Sequence, residues 1–222
     1  VKIDCLNAEN DGMQVITGNG HFIYMGFQYS GVVRYDLNDK TTQCLKIGEG
    51  IGESLYVHDI QISENGLWLA TETGLYLYDE IQKKASKCVN DYFDKRSLSD
   101  NAIYAVYRDS ENGLWVGTYF GGINYMSINE NRYIESYYPI VTRISLRGRV
   151  VREIRPDSMG NLWIGTEDAG LNYFNSQEKN IIPVDAHLEH YNVHGLCVID
   201  DELYVGVYSG GLNVYTLNTG GV

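Results

Sequence analysis

The chain has 222 residues, a formal net charge of −12 and no cluster of basic residues. An acidic surface of this kind disfavours nucleic acid and anionic membranes as partners. No apolar run approaches the ~18 residues that a membrane-spanning helix needs, and no signal peptide is visible after Val1. The length suits one large all-β domain better than two small ones.

A 14-residue phrase recurs along the chain, most clearly at residues 112–125 and 160–173. Weaker or shorter copies begin at Phe22, Asn65 and Leu203. Each copy contains an anchoring aromatic residue, and successive anchors are 44, 47, 48 and 41 residues apart. In chain order, the anchors are Tyr24, Trp68, Trp115, Trp163 and Tyr204. Repeats of about 40–50 residues that are rich in short strands are typical of β-propeller blades.

The sequence therefore predicts an all-β fold, a β-propeller of five four-stranded blades in a single domain. The predicted blades cover about 12–47, 56–90, 101–139, 149–184, and 193–217 together with 1–6. The last blade lacks an outer strand, whereas residues 1–6 look like an isolated one. We therefore expect the N-terminal strand to complete the last blade and close the ring.

The third blade shows the predicted strand pattern best. Its strands are expected at residues 102–107, 114–117, 123–127 and 132–138, with an Asn-Gly turn at 112–113. The tryptophan of the second strand should be buried between blades, as should its two counterparts. The glycine two residues later should allow a neighbouring group to approach closely.

The cysteines indicate neither a disulfide framework nor a metal site. Cys5, Cys44 and Cys88 fall in predicted outer strands of different blades, too far apart for the ~7 Å Cα separation of a disulfide. Cys197 falls in an inner strand. We therefore expect four free thiols, and no Cys-x-x-Cys motif is present.

Aligning the five inner strands places one polar residue of each blade near the same end of the predicted channel. These residues are Gln14, His58, Tyr104, Arg152 and His194. The loops after the second strands add Gln28, Tyr29, Glu72, Tyr119, Phe120, Glu167, Asp168 and Tyr208. Aromatic rings beside hydrogen-bonding groups suit a polyhydroxylated ligand such as a sugar. The alternative is a solvated channel lining without a ligand.

Two segments, residues 109–118 and 157–166, closely resemble the two-component regulator propeller repeat, and residues 97–101 resemble the run before its first strand. The resemblance implies that the chain is the periplasmic sensor region of a hybrid two-component receptor, of the kind typical of gut Bacteroides. Many receptors of this kind detect glycan fragments. The implied partners are an oligosaccharide and further propeller or signalling domains of the same receptor, without nucleic acid or direct membrane contact. The family usually carries more repeats, followed by a β-domain, a membrane helix and a kinase.

Enzymatic and metal-binding alternatives are weaker. His187, His190 and His194 could ligate zinc, but no helix organises their spacing, so neither a metal nor another cofactor is predicted. Propeller glycosidases use carboxylates that point into the channel, whereas Asp59 and Glu153 should turn away from it. A streptogramin-lyase-like enzyme would use a histidine of the channel mouth as acid or base, and a protein-interaction scaffold would use the same face.

Overall fold

The protein is described by a computed structural model that covers residues 11–47, 55–64, 66–127, 134–137 and 145–217. These residues form nineteen β-strands arranged in five antiparallel sheets. Each sheet is a propeller blade in which successive strands lie side by side. The prediction of an all-β, five-bladed propeller is confirmed.

The chain divides into two compact units, of which the first comprises Val1–Ser97 and Asn101–Val106. This unit contains the first two blades and the start of the third. The first blade contains β1 (Met13–Gly18), β2 (Phe22–Phe27), β3 (Val32–Asp36) and β4 (Thr42–Leu45). The second contains β5 (Val57–Ser63), β6 (Gly66–Thr71), β7 (Gly74–Asp79) and β8 (Lys84–Cys88).

The second unit comprises Leu98–Asp100 and Tyr107–Val222. The third blade contains β9 (Ile103–Arg108), β10 (Leu114–Thr118), β11 (Ile123–Met126) and β12 (Ile134–Tyr137). The fourth contains β13 (Val151–Pro156), β14 (Leu162–Thr166), β15 (Gly170–Asn175) and β16 (Asn180–Val184). The fifth contains β17 (Val193–Ile199), β18 (Glu202–Val207) and β19 (Gly211–Thr216). Residues 1–6 lie outside the described residues, so closure by an N-terminal strand stays a prediction.

The second strand of each central blade is buried on both faces. Every residue of β6, β10 and β14 is buried. Trp68, Trp115 and Trp163 are only 8%, 5% and 2% exposed, as predicted. Trp115 packs against Tyr125 of its own blade and Phe174 of the fourth, with ring centroids 4.7 and 4.6 Å away. These strands are therefore the core of the propeller, and their burial is a main source of its stability.

A valine from the following blade packs directly against the glycine of the second strand. A Cβ on Gly117 would lie 2.7 Å from Cγ1 of Val151, and a Cβ on Gly165 would lie 2.6 Å from Cγ1 of Val193. Real Cβ atoms do not come this close to other carbons, so a larger residue at Gly117 or Gly165 would displace the valine. We call this packing the valine–glycine contact. It also occurs in the first unit, where Gly26 meets Val57.

The turn between the first two strands of the third blade is organised by Asp109. Its Oδ1 accepts hydrogen bonds from the backbone N–H groups of Glu111 and Gly113, at 3.0 and 2.7 Å. Its Oδ2 accepts from Nε1 of Trp115 at 3.0 Å. Asn112 adopts a left-handed conformation with φ of 67°, which asparagine tolerates better than most residues. The carboxylate thus connects the turn to the buried tryptophan.

The equivalent Asp157 of the fourth blade has different partners. Its Oδ1 accepts from the N–H groups of Met159 and Asn161, at 2.8 and 2.9 Å. Its Oδ2 accepts from Nδ2 of Asn161 at 3.0 Å and from the hydroxyl of Tyr173 at 2.7 Å. Nε1 of the buried Trp163 has no hydrogen-bond partner among the described residues.

The prediction of four free thiols is wrong. Cys44 is disulfide-bonded, whereas Cys88 and Cys197 are thiols. The prediction assumed a strand position for every cysteine. A disulfide requires only that two Cα atoms come within about 7 Å of each other.

Candidate functional site

Four of the five predicted site residues of the inner strands occupy irregular positions in their sheets. The pairing register shifts between Met13 and Val15, and the same shift recurs in the second, fourth and fifth blades. The extra residue at each shift is Gln14, His58, Arg152 or His194. Such a β-bulge leaves one residue out of the ladder and redirects its side chain, and bulges are enriched beside binding sites.

In three blades, the bulge residue meets the residue that directly follows the second strand of the same blade. We call this arrangement a bulge–loop pair. The loop position was predicted for the site, but its direct contact with the bulge residue was not. The three pairs are His58 Nε2 to Glu72 Oε1 at 2.8 Å, Arg152 Nη1 to Glu167 Oε1 at 2.6 Å, and the rings of His194 and Tyr208 with centroids 5.6 Å apart.

A continuous polar and aromatic cluster surrounds His58 in the first unit. The imidazole is stacked between Tyr56 and Tyr104, with ring centroids 4.3 and 3.9 Å away. Tyr56 donates to Oε1 of Gln14 at 3.2 Å, and Tyr104 donates to Oε1 of Glu72 at 3.2 Å. The side chain of His58 is 8% exposed and that of Glu72 is 39% exposed. The carboxylate is therefore the solvent-facing part of the cluster.

The sequence analysis did not name Tyr56, which directly precedes β5. The available signal in the sequence was an aromatic residue two positions before His58. Tyr29, also in the first unit, is exposed on the loop after β2, and its N–H donates to Oδ1 of Asp11 at 2.9 Å.

The second unit places Arg152 and Glu167 beside His194. Burial and the positive charge of Arg152 lower the pKa of His194, against the opposing effect of Glu167. His194 is therefore mainly neutral at pH 7, since its ordinary value is already below 7. The exposed ring of Tyr208 also contacts His190, with centroids 5.9 Å apart. The cluster offers an ion pair, a neutral imidazole and an aromatic surface within one unit.

The other predicted loop residues of this unit have more local roles. Asp168 accepts a hydrogen bond from the backbone N–H of Arg149 at 3.0 Å and so fixes the loop before β13. Tyr119 and Phe120 form an edge-to-face pair with centroids 4.2 Å apart. The N–H of Phe120 donates to Oδ2 of Asp100 at 2.9 Å, and its ring is 60% exposed. Phe120 thus offers an apolar surface, whereas the carboxylate of Asp168 accepts a hydrogen bond from the backbone.

The carboxylates considered for glycosidase chemistry have structural partners. Asp59 accepts from the N–H groups of Ile60 and Val106, at 2.8 and 3.0 Å, and Glu153 pairs with Arg155 at 2.9 Å. Within the described ranges, no group of three or more His, Cys, Asp or Glu side chains could hold a metal ion. The same ranges contain no helix long and apolar enough to cross a membrane.

Solved structures of similar fold include two extracellular domains of hybrid two-component systems from B. thetaiotaomicron. Each aligns with a TM-score of 0.71 at 17% identity. The alignments cover 91% and 94% of this chain but only 26% and 31% of those chains. The WD40 repeats of RRP9 align with a TM-score of 0.70 at 10% identity, over 96% of this chain and 63% of that one. At such identities the likeness establishes the fold.

None of the curated proteins matches the sequence significantly. Residues 97–120 and 145–168 match the family model described as two component regulator propeller. Each segment contains the first two strands of its blade, the third blade for one segment and the fourth for the other. The repeat is clearest in these two blades. These two segments of the chain are therefore similar to the two-component regulator propeller repeat.

Proposed function

We propose that this chain is a ligand-sensing propeller of a two-component receptor and that it binds a neutral carbohydrate without catalysing a reaction. The observation that carries the proposal is the bulge–loop pair, which recurs in three blades and in two of them sets a side-chain nitrogen beside a carboxylate. Sugar hydroxyls both donate and accept hydrogen bonds, so they match such pairs.

The proposed location is periplasmic. The two similar B. thetaiotaomicron structures are extracellular domains of hybrid two-component systems, and the matching family model describes a two-component regulator propeller. The disulfide at Cys44 is independent support, because disulfides persist in oxidising compartments and are rare in the cytosol. Further domains of the same receptor would be its signalling partners.

The ion pair of the fourth blade favours a neutral sugar over a uronate. Arg152 and Glu167 are 2.6 Å apart and are 31% and 22% exposed, so the guanidinium charge is already balanced. A ligand carboxylate would be attracted by Arg152 and repelled by Glu167, in a chain whose net charge is −12. A hydroxyl would gain a charge-assisted hydrogen bond from either group. The exposed rings of Tyr208 and Phe120 offer stacking surfaces.

We assign His58 an orienting role in the first unit. Its ring is stacked on both faces and its side chain is 8% exposed, so little of it is accessible to a ligand. The bond from Nε2 to Glu72 holds the carboxylate, and Tyr104 donates to the same oxygen. In this proposal, Glu72 accepts from the sugar, and Gln14 and Tyr104 extend the polar surface.

The test is calorimetry of the whole chain against a panel of neutral and uronate-containing oligosaccharides. Arg152→Ala should weaken binding of a neutral sugar about tenfold or more if the sugar binds the second unit, and Glu72→Gln should do so if it binds the first, because each removes a charge-assisted hydrogen bond. Arg96→Ala is the matched control: this side chain is 73% exposed and pairs with Asp94 at 3.6 Å. It should leave the affinity unchanged.

Other outcomes would assign a different function. If a sugar binds and both site variants bind it as well as the parent, the site lies elsewhere. If the chain turns over a glycoside or a lactone and His194→Ala abolishes that activity, the protein is an enzyme. If no sugar binds but Tyr208→Ala disrupts a complex with another receptor domain, the propeller is an interaction scaffold.

A further inference from the structure

Two neighbouring aromatic side chains of the first unit are almost completely exposed to solvent. Tyr92 and Phe93 are 89% and 92% exposed, the highest values among the large hydrophobic side chains of the described residues. Aromatic residues in the strands of the same unit are buried, such as Tyr24 at 1% and Tyr78 at 3%. The two exposed rings have centroids 5.4 Å apart and planes at 88° to each other. They therefore form one continuous apolar surface.

Local hydrogen bonds fix the loop that carries the two rings. This loop follows β8, and we call residues 89–97 the aromatic loop. The hydroxyl of Ser97 accepts from the N–H of Asp91 at 2.8 Å and donates to its carbonyl at 3.0 Å. Oδ1 of Asp91 accepts from the N–H of Phe93 at 2.9 Å, and the N–H of Ser97 donates to the carbonyl of Asp94 at 3.0 Å. The rings are thus held on an ordered backbone, so a ligand that binds them has little loop entropy to overcome.

The start of the aromatic loop lies beside the loop that carries Glu72. Strand pairing sets Cys88, the last residue of β8, opposite Leu75. The next residue is Val89, whose Cγ1 lies 3.3 Å from the place that a Cβ of Gly74 would take. Gly74 follows Glu72 by two residues. The two loops therefore leave the second blade side by side.

The end of the aromatic loop leads into the cluster around His58. The N–H of Asn90 donates to Oδ1 of Asn101 at 2.7 Å, and Asn101 is three residues before Tyr104. The hydroxyl of Tyr104 donates to Oε1 of Glu72 at 3.2 Å. The chain advances at most ~3.6 Å per residue, so the Cα atom of Tyr92 lies within about 7 Å of the Cα atom of Asn90. A ligand of several sugar units that binds Glu72 can therefore reach the exposed rings.

We propose that Tyr92 and Phe93 form a stacking platform that extends the Glu72 site, so that the ligand of the first unit is an oligosaccharide and not a single sugar. This inference rests on the proposed function. In this arrangement, one sugar unit donates a hydroxyl to Glu72, and a neighbouring unit places its apolar ring face on the aromatic pair. Because the two ring planes are nearly perpendicular, that unit meets the face of one ring and the edge of the other.

Calorimetry of the whole chain against neutral sugars of increasing length tests the proposal. The panel contains gluco-, manno- and xylo-oligosaccharides, from the monosaccharide to the hexasaccharide. Tyr92→Ala and Phe93→Ala should each weaken binding of the long members about three- to tenfold, because each removes a stacking surface. The affinity for a monosaccharide should not change, since a single unit bound to Glu72 does not reach the platform.

Two control variants separate the rings from the rest of the loop. Tyr92→Phe keeps the aromatic ring and should bind like the parent. Arg96→Ala changes a side chain of the same loop that is 73% exposed, and it should also bind like the parent. If Arg96→Ala weakens binding as much as Phe93→Ala does, the loop acts through its backbone and the platform is wrong.

Glu72→Gln and Arg152→Ala separate a failure of this inference from a failure of the proposed function. If Glu72→Gln weakens binding but Tyr92→Ala and Phe93→Ala bind every chain length as the parent does, the Glu72 site stands and the platform is refuted. If binding depends on Arg152 alone, the ligand lies in the second unit, and only this inference fails. If no member of the panel binds, both fail.

Thermal unfolding checks that these variants alter a free surface. Tyr92→Ala and Phe93→Ala should leave the unfolding midpoint unchanged, because their rings contact little of the chain. Tyr78→Ala should lower the midpoint, because its side chain is buried and its removal leaves a cavity. If Tyr92→Ala or Phe93→Ala lowers the midpoint as much as Tyr78→Ala does, the rings pack within the chain and the proposal is overturned.

Discussion

The third and fourth blades share the sequence Leu-Trp-x-Gly-Thr, yet their turn aspartates bond to different groups. Asp109 accepts from Nε1 of Trp115, whereas Asp157 accepts from Asn161 and Tyr173. Trp163 is equally buried, but its Nε1 has no partner within the described part of the chain.

The difference begins at the residue before the shared leucine. In the third blade this residue is Gly113, and the ring of Tyr125 occupies the space that a Cβ would need. In the fourth blade it is Asn161, whose side chain reaches Asp157, and the hydroxyl of Tyr173 binds the same carboxylate oxygen. The strand pattern thus determines where the tryptophan is buried, and a neighbouring residue determines whether its N–H is satisfied.

The largest expected effect is common to both blades. Trp115→Ala and Trp163→Ala should each cost about 3–5 kcal/mol of unfolding free energy, because each leaves a large cavity. Urea denaturation measures the loss. Met159→Ala, at a side chain that is 68% exposed, should stay within about 0.5 kcal/mol of the parent. A loss below about 1 kcal/mol at either tryptophan would contradict its role in the core.

The second prediction concerns the bond that is specific to the fourth blade. Tyr173→Phe removes a hydroxyl that donates to a carboxylate at 2.7 Å. It should cost about 1.5–3 kcal/mol, the range for hydrogen bonds to charged groups. The same denaturation assay measures it. In the double variant with Asp157→Asn, the two effects should not add, because both changes alter one interaction.

The third prediction separates the two tryptophans. Phenylalanine keeps an aromatic ring but removes the indole N–H. Trp115→Phe should cost about 1 kcal/mol more than Trp163→Phe, because only the former breaks a hydrogen bond. Equal losses would indicate that the N–H of Trp163 has an acceptor in solution, such as an ordered water.

The smallest effect is a dependence on pH. Burial would raise the pKa of Asp157, but hydrogen bonds from Asn161 and Tyr173 outweigh it and lower the pKa below its ordinary value. The ionised carboxylate therefore stabilises the fold above the unfolded pKa of about 3.9, and this contribution disappears as the pH falls through the folded value. The stability difference between the parent and Asp157→Asn should shrink between neutral and acidic pH. A constant difference would contradict this assignment.

The sequence predicted the strands well where the repeat is regular. The second strand of the third blade was expected at residues 114–117 and is found at Leu114–Thr118. Burial of all three tryptophans was also predicted correctly. These features follow from local pattern, since apolar second strands bounded by turn residues leave few alternatives.

The sequence did not predict features that depend on pairing register or on the neighbour of each blade. Alternation alone could not identify Arg152 as an extra residue, because a bulge is defined by the partner strand. It could not connect His58 to Glu72, which lies 14 residues away. Nor could it predict that Leu171 is buried whereas Leu212 is exposed. Both leucines lie between a glycine and an asparagine of the repeat.

The bulges also affect how the propeller could diversify. A residue that is left out of the ladder contributes no strand pairing, so its replacement leaves the hydrogen bonds of its blade intact. Gln14, His58, Arg152 and His194 already differ in charge and shape on four equivalent scaffolds. Point substitutions at these positions would therefore change the side-chain surface of a blade while its strand pairing is kept.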